Sequence, residues 1–202
     1  MATERPGSIR RRRLLGAAAA GACLPPALLF SPALFAQSAP LTPSCGKQTV
    51  RQTAGPFFKP DSPRRVSLIE NATQNSQNSR LTVTGLVLAS NCKPVANALL
   101  DFWHADEFGD YDNKGFSYRG HQLTDAQGRW RLETILPAEY PGRARHIHVN
   151  VQAPGRRVLT TQLYFPEEFG HHRDGLYQSS LQMKIDKKPD LLEGRFDFVV
   201  EA

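Results

Sequence analysis

Two histidines separated by one residue, His146 and His148, are the side chains of this sequence best suited to chemistry. On a β-strand they would point to one face, while Ile147 and Val149 would point to the other. Two imidazoles on one face can share a metal ion, and the aliphatic neighbours can enter a core. Taken alone, the pair is a weak signal: zinc is the default metal, and a packing role without a metal is the alternative.

Two tyrosines could add phenol ligands to this pair. Tyr111 follows a predicted strand, and Tyr140 lies between another strand and the histidines. A phenol ionises only at a pH of about 10, so binding near neutral pH requires a strong Lewis acid. Ferric iron suits such a set, because two phenolates and a hydroxide neutralise its three charges. Each tyrosine by itself would be an ordinary packing or hydrogen-bonding residue.

Short strands separated by turns must position these residues. Runs rich in β-branched and aromatic residues predict strands at 81–89, 98–104, 129–135, 146–152, 158–165, 181–185 and 195–200. The intervening segments 91–94, 125–128 and 153–155 have turn composition. No long amphipathic helix is evident, so the sequence predicts an all-β fold with a single β-sandwich domain at 81–202. The longer connection at 108–122 is expected to carry function.

Two further segments are expected to lack regular structure. Residues 37–80 should form an irregular N-terminal arm, because 37–63 is rich in Pro, Ser and Thr and 71–79 is a polar tract. The segment from His171 to Asp174 is interpreted as a solvated loop rather than a second metal site. His104, at the end of a predicted strand, is expected to be a hydrogen-bonding residue.

Residues 1–36 have the pattern of an export signal. Four arginines, 10–13, precede Leu-Leu and an apolar stretch, with a cleavage point predicted after Ala36. The paired arginines are typical of the twin-arginine route. Pro25 and Pro32 interrupt the apolar run, so no stable membrane span is expected. The protein is therefore expected to be exported, periplasmic or extracellular, and lipid anchoring at Cys23 is the less favoured alternative.

Removing the signal changes the charge balance. Residues 1–36 hold five of the 25 Lys and Arg and one of the 19 Asp and Glu, which leaves 20 against 18. The remaining chain is close to neutral, so its charge gives no support for nucleic-acid binding.

Two cysteines, Cys45 and Cys92, remain after cleavage. In an exported protein such a pair predicts a disulfide. Two free thiols or thiolate metal ligands are the alternative, although no Cys-x-x-Cys spacing favours a metal.

Several segments together resemble the intradiol ring-cleavage dioxygenases, the superfamily of protocatechuate 3,4-dioxygenase and catechol 1,2-dioxygenase. In the family's order, the matching segments are 53–58 (TAGPFF), 85–87 (GLV) with 94–98 (PVANA), 102–106 (FWHAD) with 109–111 (GDY), 119–120 (RG) with 124–128 (TDAQG), 134–137 (TILP) with 140–141 (YP), 143–148 (RARHIH) and 161–165 (TQLYF). They extend over nearly the whole predicted domain.

The resemblance implies one Fe(III) per chain. Tyr111 and His146 would be equatorial ligands, and Tyr140 and His148 the axial pair. A catechol-type substrate would displace Tyr140, which then serves as a base. The ring would be opened with O2 to a muconate-type dicarboxylic acid.

Three more residues receive roles from the same resemblance. Arg143 corresponds to an arginine near the substrate ring, where it would stabilise negative charge; a salt bridge within the loop is its alternative role. Gln162 and Tyr164 match positions that line the pocket, and we interpret them as orienting other groups. A small aromatic diol and O2 are the implied partners, and homo-oligomer formation stays open.

The sequence also departs from the family pattern. Tyr140 and His146 are closer together than in the protocatechuate enzymes, and Phe57-Phe58 replaces a segment that often ends in tyrosine. The substrate therefore does not follow from the resemblance. A secreted β-sandwich that binds catechols without catalysis, or a zinc or copper enzyme using the histidine pair, are the competing hypotheses.

Overall fold

The structure is a computed structural model that describes residues 45–69, 80–166 and 168–202 of the 202-residue chain. The expected export signal at 1–36, the lipidation site at Cys23 and the polar tract at 71–79 lie outside these residues. In the described part of the chain, no helix is long and apolar enough to cross a membrane.

Nine strands in the described residues form two facing sheets. They are β1 (Arg80–Ala89), β2 (Leu99–Trp103), β3 (Arg119–Leu123), β4 (Arg129–Ile135), β5 (His146–Gln152), β6 (Leu159–Tyr164), β7 (Lys184–Lys187), β8 (Leu191–Arg195) and β9 (Phe198–Val200). One sheet has the order β4-β1-β8-β7, with β9 also paired to β1, and the other has the order β3-β2-β5-β6. The predicted all-β sandwich is confirmed.

The alternation of apolar side chains explains why the two sheets pack face to face. Leu81 and Val83 of β1 and Leu132 of β4 are fully or almost fully buried from one sheet, and Phe102 and Ile147 from the other. Burying such a side chain contributes about 1.5–3 kcal/mol. On β5, Ile147 therefore enters the core between the sheets, and its histidine neighbours must face the opposite side.

Some predicted strand boundaries were wrong. The predicted strand at 181–185 begins only at Lys184, because 179–181 forms a 3₁₀ turn. The predicted strand at 195–200 is divided between β8 and β9, both parallel to β1. The division occurs where the Asp197 carboxylate, instead of a backbone carbonyl, accepts the hydrogen bond of the Leu86 N–H.

β3 was not predicted, and of β8 only the last residue was. β3 begins within the connection at 108–122 and ends one residue beyond it, and β8 has the sequence LLEGR. Both carry charged residues and a glycine where a regular apolar alternation would be expected. In β3 the buried positions include Arg119 and Gln122, so hydrogen bonds to the backbone replace apolar packing there.

Candidate metal and substrate site

The two histidines lie at the start of β5 on the face away from the core. The pairing of β5 with β6 sets His146 opposite Tyr164 and His148 opposite Gln162. On the other side, Trp103 of β2 is the partner of His148, and their rings stack with centroids 4.9 Å apart. The Nε2 atoms of the two histidines are 3.1 Å apart. The strand register therefore brings both imidazoles to one point.

Two loops bring the tyrosines to the same point. The Oη atom of Tyr111 lies 3.3 Å from His146 Nε2. The Tyr140 ring meets the Tyr111 ring edge-on, with centroids 6.1 Å apart. The two loops are tied together, because the Ala138 N–H donates to the Asp106 carbonyl over 2.9 Å. Tyr111, Tyr140, His146 and His148 thus form one cluster of four rings.

A single β-turn connects the Tyr140 loop to Arg143. The Arg143 N–H donates to the Tyr140 carbonyl over 2.8 Å. Gly142 occupies the third position of this turn with a φ of 79°, which a type II turn requires and which glycine adopts without strain. This turn accounts for the short spacing between Tyr140 and His146.

The N-terminal arm covers the cluster. The Phe57 ring stacks on Tyr111 with centroids 4.4 Å apart and meets Tyr140 edge-on. The buried Arg119 donates from Nη1 to the Phe57 carbonyl over 2.7 Å and from Nε to the Asp112 carbonyl over 2.9 Å. One guanidinium therefore joins the arm to the loop that carries Tyr111.

Burial keeps both histidines uncharged. It lowers the pKa of His146 to about 4 and that of His148 well below its usual value, and the Arg143 charge adds to both effects. The Nδ1 atom of His146 lies 2.6 Å from the Ala144 carbonyl, which can only accept, so the proton of this imidazole is on Nδ1. Its Nε2 lone pair points into the cluster, toward Tyr111 Oη and His148 Nε2.

Burial acts on the tyrosines in the opposite sense. It raises the pKa of Tyr111, because a buried phenolate without a compensating charge is unfavourable. Phenolate therefore forms at this position only beside a cation. Within the described part of the chain, no group of three or more His, Cys, Asp or Glu could hold a metal ion. Any ion on the histidine pair would depend on the phenols, so the residues fit a hard, highly charged cation better than zinc.

Arg143 lies beside this cluster in a polar network. Its Nη2 atom donates to Gln162 Oε1 over 2.6 Å and lies 3.3 Å from Tyr164 Oη. Its Nε atom donates to Asp174 Oδ1 over 2.9 Å. Burial, followed by the Asp174 charge, raises the pKa of Tyr164 to about 12, so this phenol stays protonated. Gln162 and Tyr164 both contact Arg143, and the Tyr164 ring also lies beside the His146 ring, with centroids 6.1 Å apart.

The structure brings together every residue that the sequence suggested for the site, and adds some that it missed. In the sequence, Phe57 stood out only because its segment often ends in tyrosine in relatives. Trp103 and Arg119 belong to the family motifs, but nothing in the sequence indicated which site residues they contact.

The prediction of a solvated loop at His171–Asp174 was wrong for Asp174, which is buried against Arg143. His171 stacks on Tyr177 in the same segment. His104 is hydrogen-bonded, as predicted, to Thr134 and Ala105.

A disulfide joins Cys45 to Cys92, with Cα atoms 5.3 Å apart. Cys92 lies in the turn after β1, where its φ is 67°. The bond attaches the start of the described arm to the sandwich.

Comparison with known proteins agrees with this geometry. Residues 53–201 match the family model Dioxygenase_C, described as a dioxygenase. The protocatechuate 3,4-dioxygenase beta chain of Burkholderia cepacia is 32% identical over 70% of this chain and 69% of its own length. Catechol 1,2-dioxygenase 2 of Acinetobacter lwoffii is 29% identical over 69% of this chain and 62% of its own length.

Solved structures share the fold. The dioxygenase domain of a dioxygenase and carbohydrate-binding protein fusion from Streptomyces sp. SirexAA-E is 51% identical, with a TM-score of 0.73 over 77% of this chain and 99% of that one. The 3-chlorocatechol 1,2-dioxygenase of Rhodococcus opacus 1CP is 27% identical, with a TM-score of 0.70 over 75% of this chain and 71% of that one. The chain belongs to the dioxygenase family. Within that family it is a member of the intradiol ring-cleavage dioxygenases.

Proposed function

We propose that this protein is an Fe(III)-dependent dioxygenase that opens the ring of a catechol-type aromatic with O2 to a muconate-type dicarboxylic acid. The observation that carries the proposal is the convergence of the two Nε2 atoms, 3.1 Å apart, with the Tyr111 phenol, 3.3 Å from one of them. Two neutral imidazoles and two phenols, from Tyr111 and Tyr140, would hold one ferric ion per chain. When bound there, ferric iron would supply a Lewis acid that activates a catechol-type ring toward O2.

Each residue near the cluster then has a specific task. Tyr140, whose side chain is half-buried, would accept a hydroxyl proton of the substrate at its phenol oxygen. Arg143 would place positive charge beside the ring, where negative charge develops during cleavage. The rings of Phe57 and Trp103 exclude water from Tyr111 and His148.

The substrate is proposed to be a single-ring vicinal diol. A cavity of about 230 Å³ adjoins Tyr140, Arg143 and Arg173. An apolar cavity of about 150 Å³ already holds one benzene molecule. The relatives are named for different diols, among them protocatechuate, catechol and hydroxyquinol. The chemistry common to them is the pair of adjacent hydroxyls.

Iron loading and visible spectroscopy test the metal centre. Phenolate bound to Fe(III) should give a coloured protein with a broad charge-transfer band that shifts when a catechol is added. Tyr111→Phe and Tyr140→Phe should each change this band. Tyr118→Phe is the matched control, because the Tyr118 hydroxyl contacts Glu107 outside the four-ring cluster. A colourless protein with one iron per chain would refute the proposal.

Oxygen uptake tests the reaction. We expect consumption of O2 with at least one of catechol, protocatechuate, hydroxyquinol and the chlorocatechols, and a ring-opened diacid as product. Coloured iron-loaded protein that binds catechols without consuming O2 would support the competing binding-module hypothesis.

We also propose that the protein is exported. The arginine pattern at 10–13 and the Cys45–Cys92 disulfide support this, because disulfides persist in oxidising compartments. Fractionation of producing cells should place the processed chain outside the cytoplasm, whereas full-length protein confined to the cytoplasm would contradict export.

A further inference from the structure

The segment after β6 folds back over Arg143 and places one carboxylate against it. The Asp174 side chain is completely buried, and its Oδ1 atom accepts hydrogen bonds from Arg143 Nε and from the Leu176 N–H, both over 2.9 Å. Its Oδ2 atom accepts a hydrogen bond from the Ala144 N–H over 3.0 Å. Three donors therefore converge on a single carboxylate.

The backbone of Ala144 extends this contact to the histidine pair. Its N–H donates to Asp174, and its carbonyl accepts the hydrogen bond from His146 Nδ1 over 2.6 Å. That second bond fixes which nitrogen of His146 carries the proton. Asp174 is thus hydrogen-bonded to Arg143 and linked through the single residue Ala144 to a proposed metal ligand.

We propose that Asp174 is the positioning residue of the site, which aims the Arg143 guanidinium and holds the backbone of Ala144, whose carbonyl orients His146. The proposal rests on the proposed function. The Nη2 atom of Arg143 contacts Gln162 Oε1 over 2.6 Å and, over a longer distance of 3.3 Å, Tyr164 Oη. Asp174 meets Nε, and two contacts at different nitrogens determine the plane of the group.

The hydrogen-bond chemistry explains why this position requires a carboxylate. Both oxygens of Asp174 accept from N–H groups, and an ionised carboxylate is the side chain of that size with only acceptors. An asparagine has one oxygen, so its NH2 group would point at the Ala144 N–H in one orientation and at both the Arg143 Nε–H and the Leu176 N–H in the other. Asp174→Asn therefore keeps the volume and loses at least one of these contacts.

A double-mutant cycle tests the proposal with Asp174→Asn, Arg143→Met and the double variant, each as the iron-loaded full chain. Asp174→Asn alone should lower kcat/KM by about 10- to 100-fold, mostly through kcat, while iron content stays at one per chain. In the Arg143→Met background the same change should cost clearly less, because the guanidinium that it aims is gone and only the contact with the Ala144 N–H remains to be lost. Glu193→Gln, which removes an exposed ion pair with Lys188, is the control and should leave kcat/KM unchanged.

Three outcomes would overturn the proposal. They are an unchanged kcat/KM in Asp174→Asn, an equal loss in both backgrounds, and a loss entirely explained by missing iron. If wild type itself consumes no O2, the proposed function fails instead, and the two failures are distinguishable.

A second measurement does not depend on folding of the variant or on turnover. The sample is wild-type protein with ¹⁵N-labelled arginine and diamagnetic Ga(III) in place of iron. The Arg143 Nε–H signal is identified by its loss in Arg143→Met. Its proton should exchange slowly with solvent. Exchange as fast as that of an exposed arginine would contradict the Asp174 contact.

Discussion

The disulfide should determine the stability of the fold and leave the chemistry of the site unchanged. The arm that follows Cys45 pairs with both sheets: the Thr49 N–H donates to Val199 and the Gln52 N–H donates to Thr160. The Tyr164 hydroxyl lies 3.0 Å from Gln52 Oε1. Because these contacts exist independently of the bond, its removal should affect the unfolded chain more than the folded one.

The magnitude follows from the size of the loop that the bond closes. Cys45 and Cys92 are 47 residues apart in sequence. Closing a loop of that length removes unfolded-state entropy worth about 4 kcal/mol at 25 °C. With an m-value of about 2 kcal/mol per molar urea, the unfolding midpoint should fall by about 2 M.

Urea unfolding of wild type and of the double variant Cys45→Ser/Cys92→Ser provides the assay. Removing both cysteines avoids a free thiol. As a control, dithiothreitol should lower the urea unfolding midpoint of wild type and leave that of the double variant unchanged. The folded double variant should keep the charge-transfer band and kcat of wild type. A free-energy difference below about 1 kcal/mol, or a loss of the band in folded protein, would refute the reasoning.

Four further predictions concern individual residues. Burial lowers the pKa of His104 to about 4, below the unfolded value of about 6.5. The unfolded chain therefore binds this proton before the folded chain does. The free energy of unfolding should fall by up to about 3 kcal/mol between pH 7 and pH 4. Urea titrations of wild type and His104→Gln should differ by a pH-dependent amount, and a constant difference would contradict this. Gly142→Ala meets no atom within 4 Å but forces a residue with a side chain to a φ of 79°, so thermal unfolding should show a loss of about 1 kcal/mol. Leu132→Ala should cost about 3 kcal/mol in urea unfolding, because Leu132 is completely buried, and a loss below about 1 kcal/mol would mean that the core collapses around it. Tyr140→Phe should reduce the protons released on iron binding by about one, as measured calorimetrically in buffers of different ionisation enthalpy, and an unchanged count would exclude Tyr140 as a phenolate ligand.

The parts of the fold that the sequence predicts are those in which apolar alternation and strand burial coincide. β1, β4 and β5 were predicted to within one residue at each end, because their buried positions are occupied by side chains such as Val83 and Leu132. β3 was missed because Arg119 occupies a buried position, where it donates to the carbonyls of Asp112 and Phe57, both outside the strand. No pattern within the strand itself reveals those partners.

The residues of the site also fall into those that the sequence predicts and those that it does not. The positions of Tyr111 and His146 follow from strand ends and motifs, so they were available from the sequence. The contacts of Phe57 and Asp174 were not, because each reaches the site from a segment without local periodicity. Phe57 reaches Tyr111 through the arm, and Asp174 reaches Arg143 after the chain reverses beyond β6. Such contacts depend on tertiary packing, which the local sequence does not encode.

The charge states of the cluster are the reason for proposing ferric iron rather than the zinc that the histidine pair alone suggests. His146 and His148 are neutral because they are buried, and neutral imidazoles suit zinc, copper and iron alike. Tyr111 distinguishes among these metals, since its raised pKa makes the phenolate unfavourable unless a cation compensates it. A divalent ion would already be neutralised by two phenolates, so an added hydroxide would leave a buried negative charge. With both phenolates and a hydroxide a trivalent ion would be neutral, so the two phenols and two neutral imidazoles fit a trivalent ion better than a divalent one.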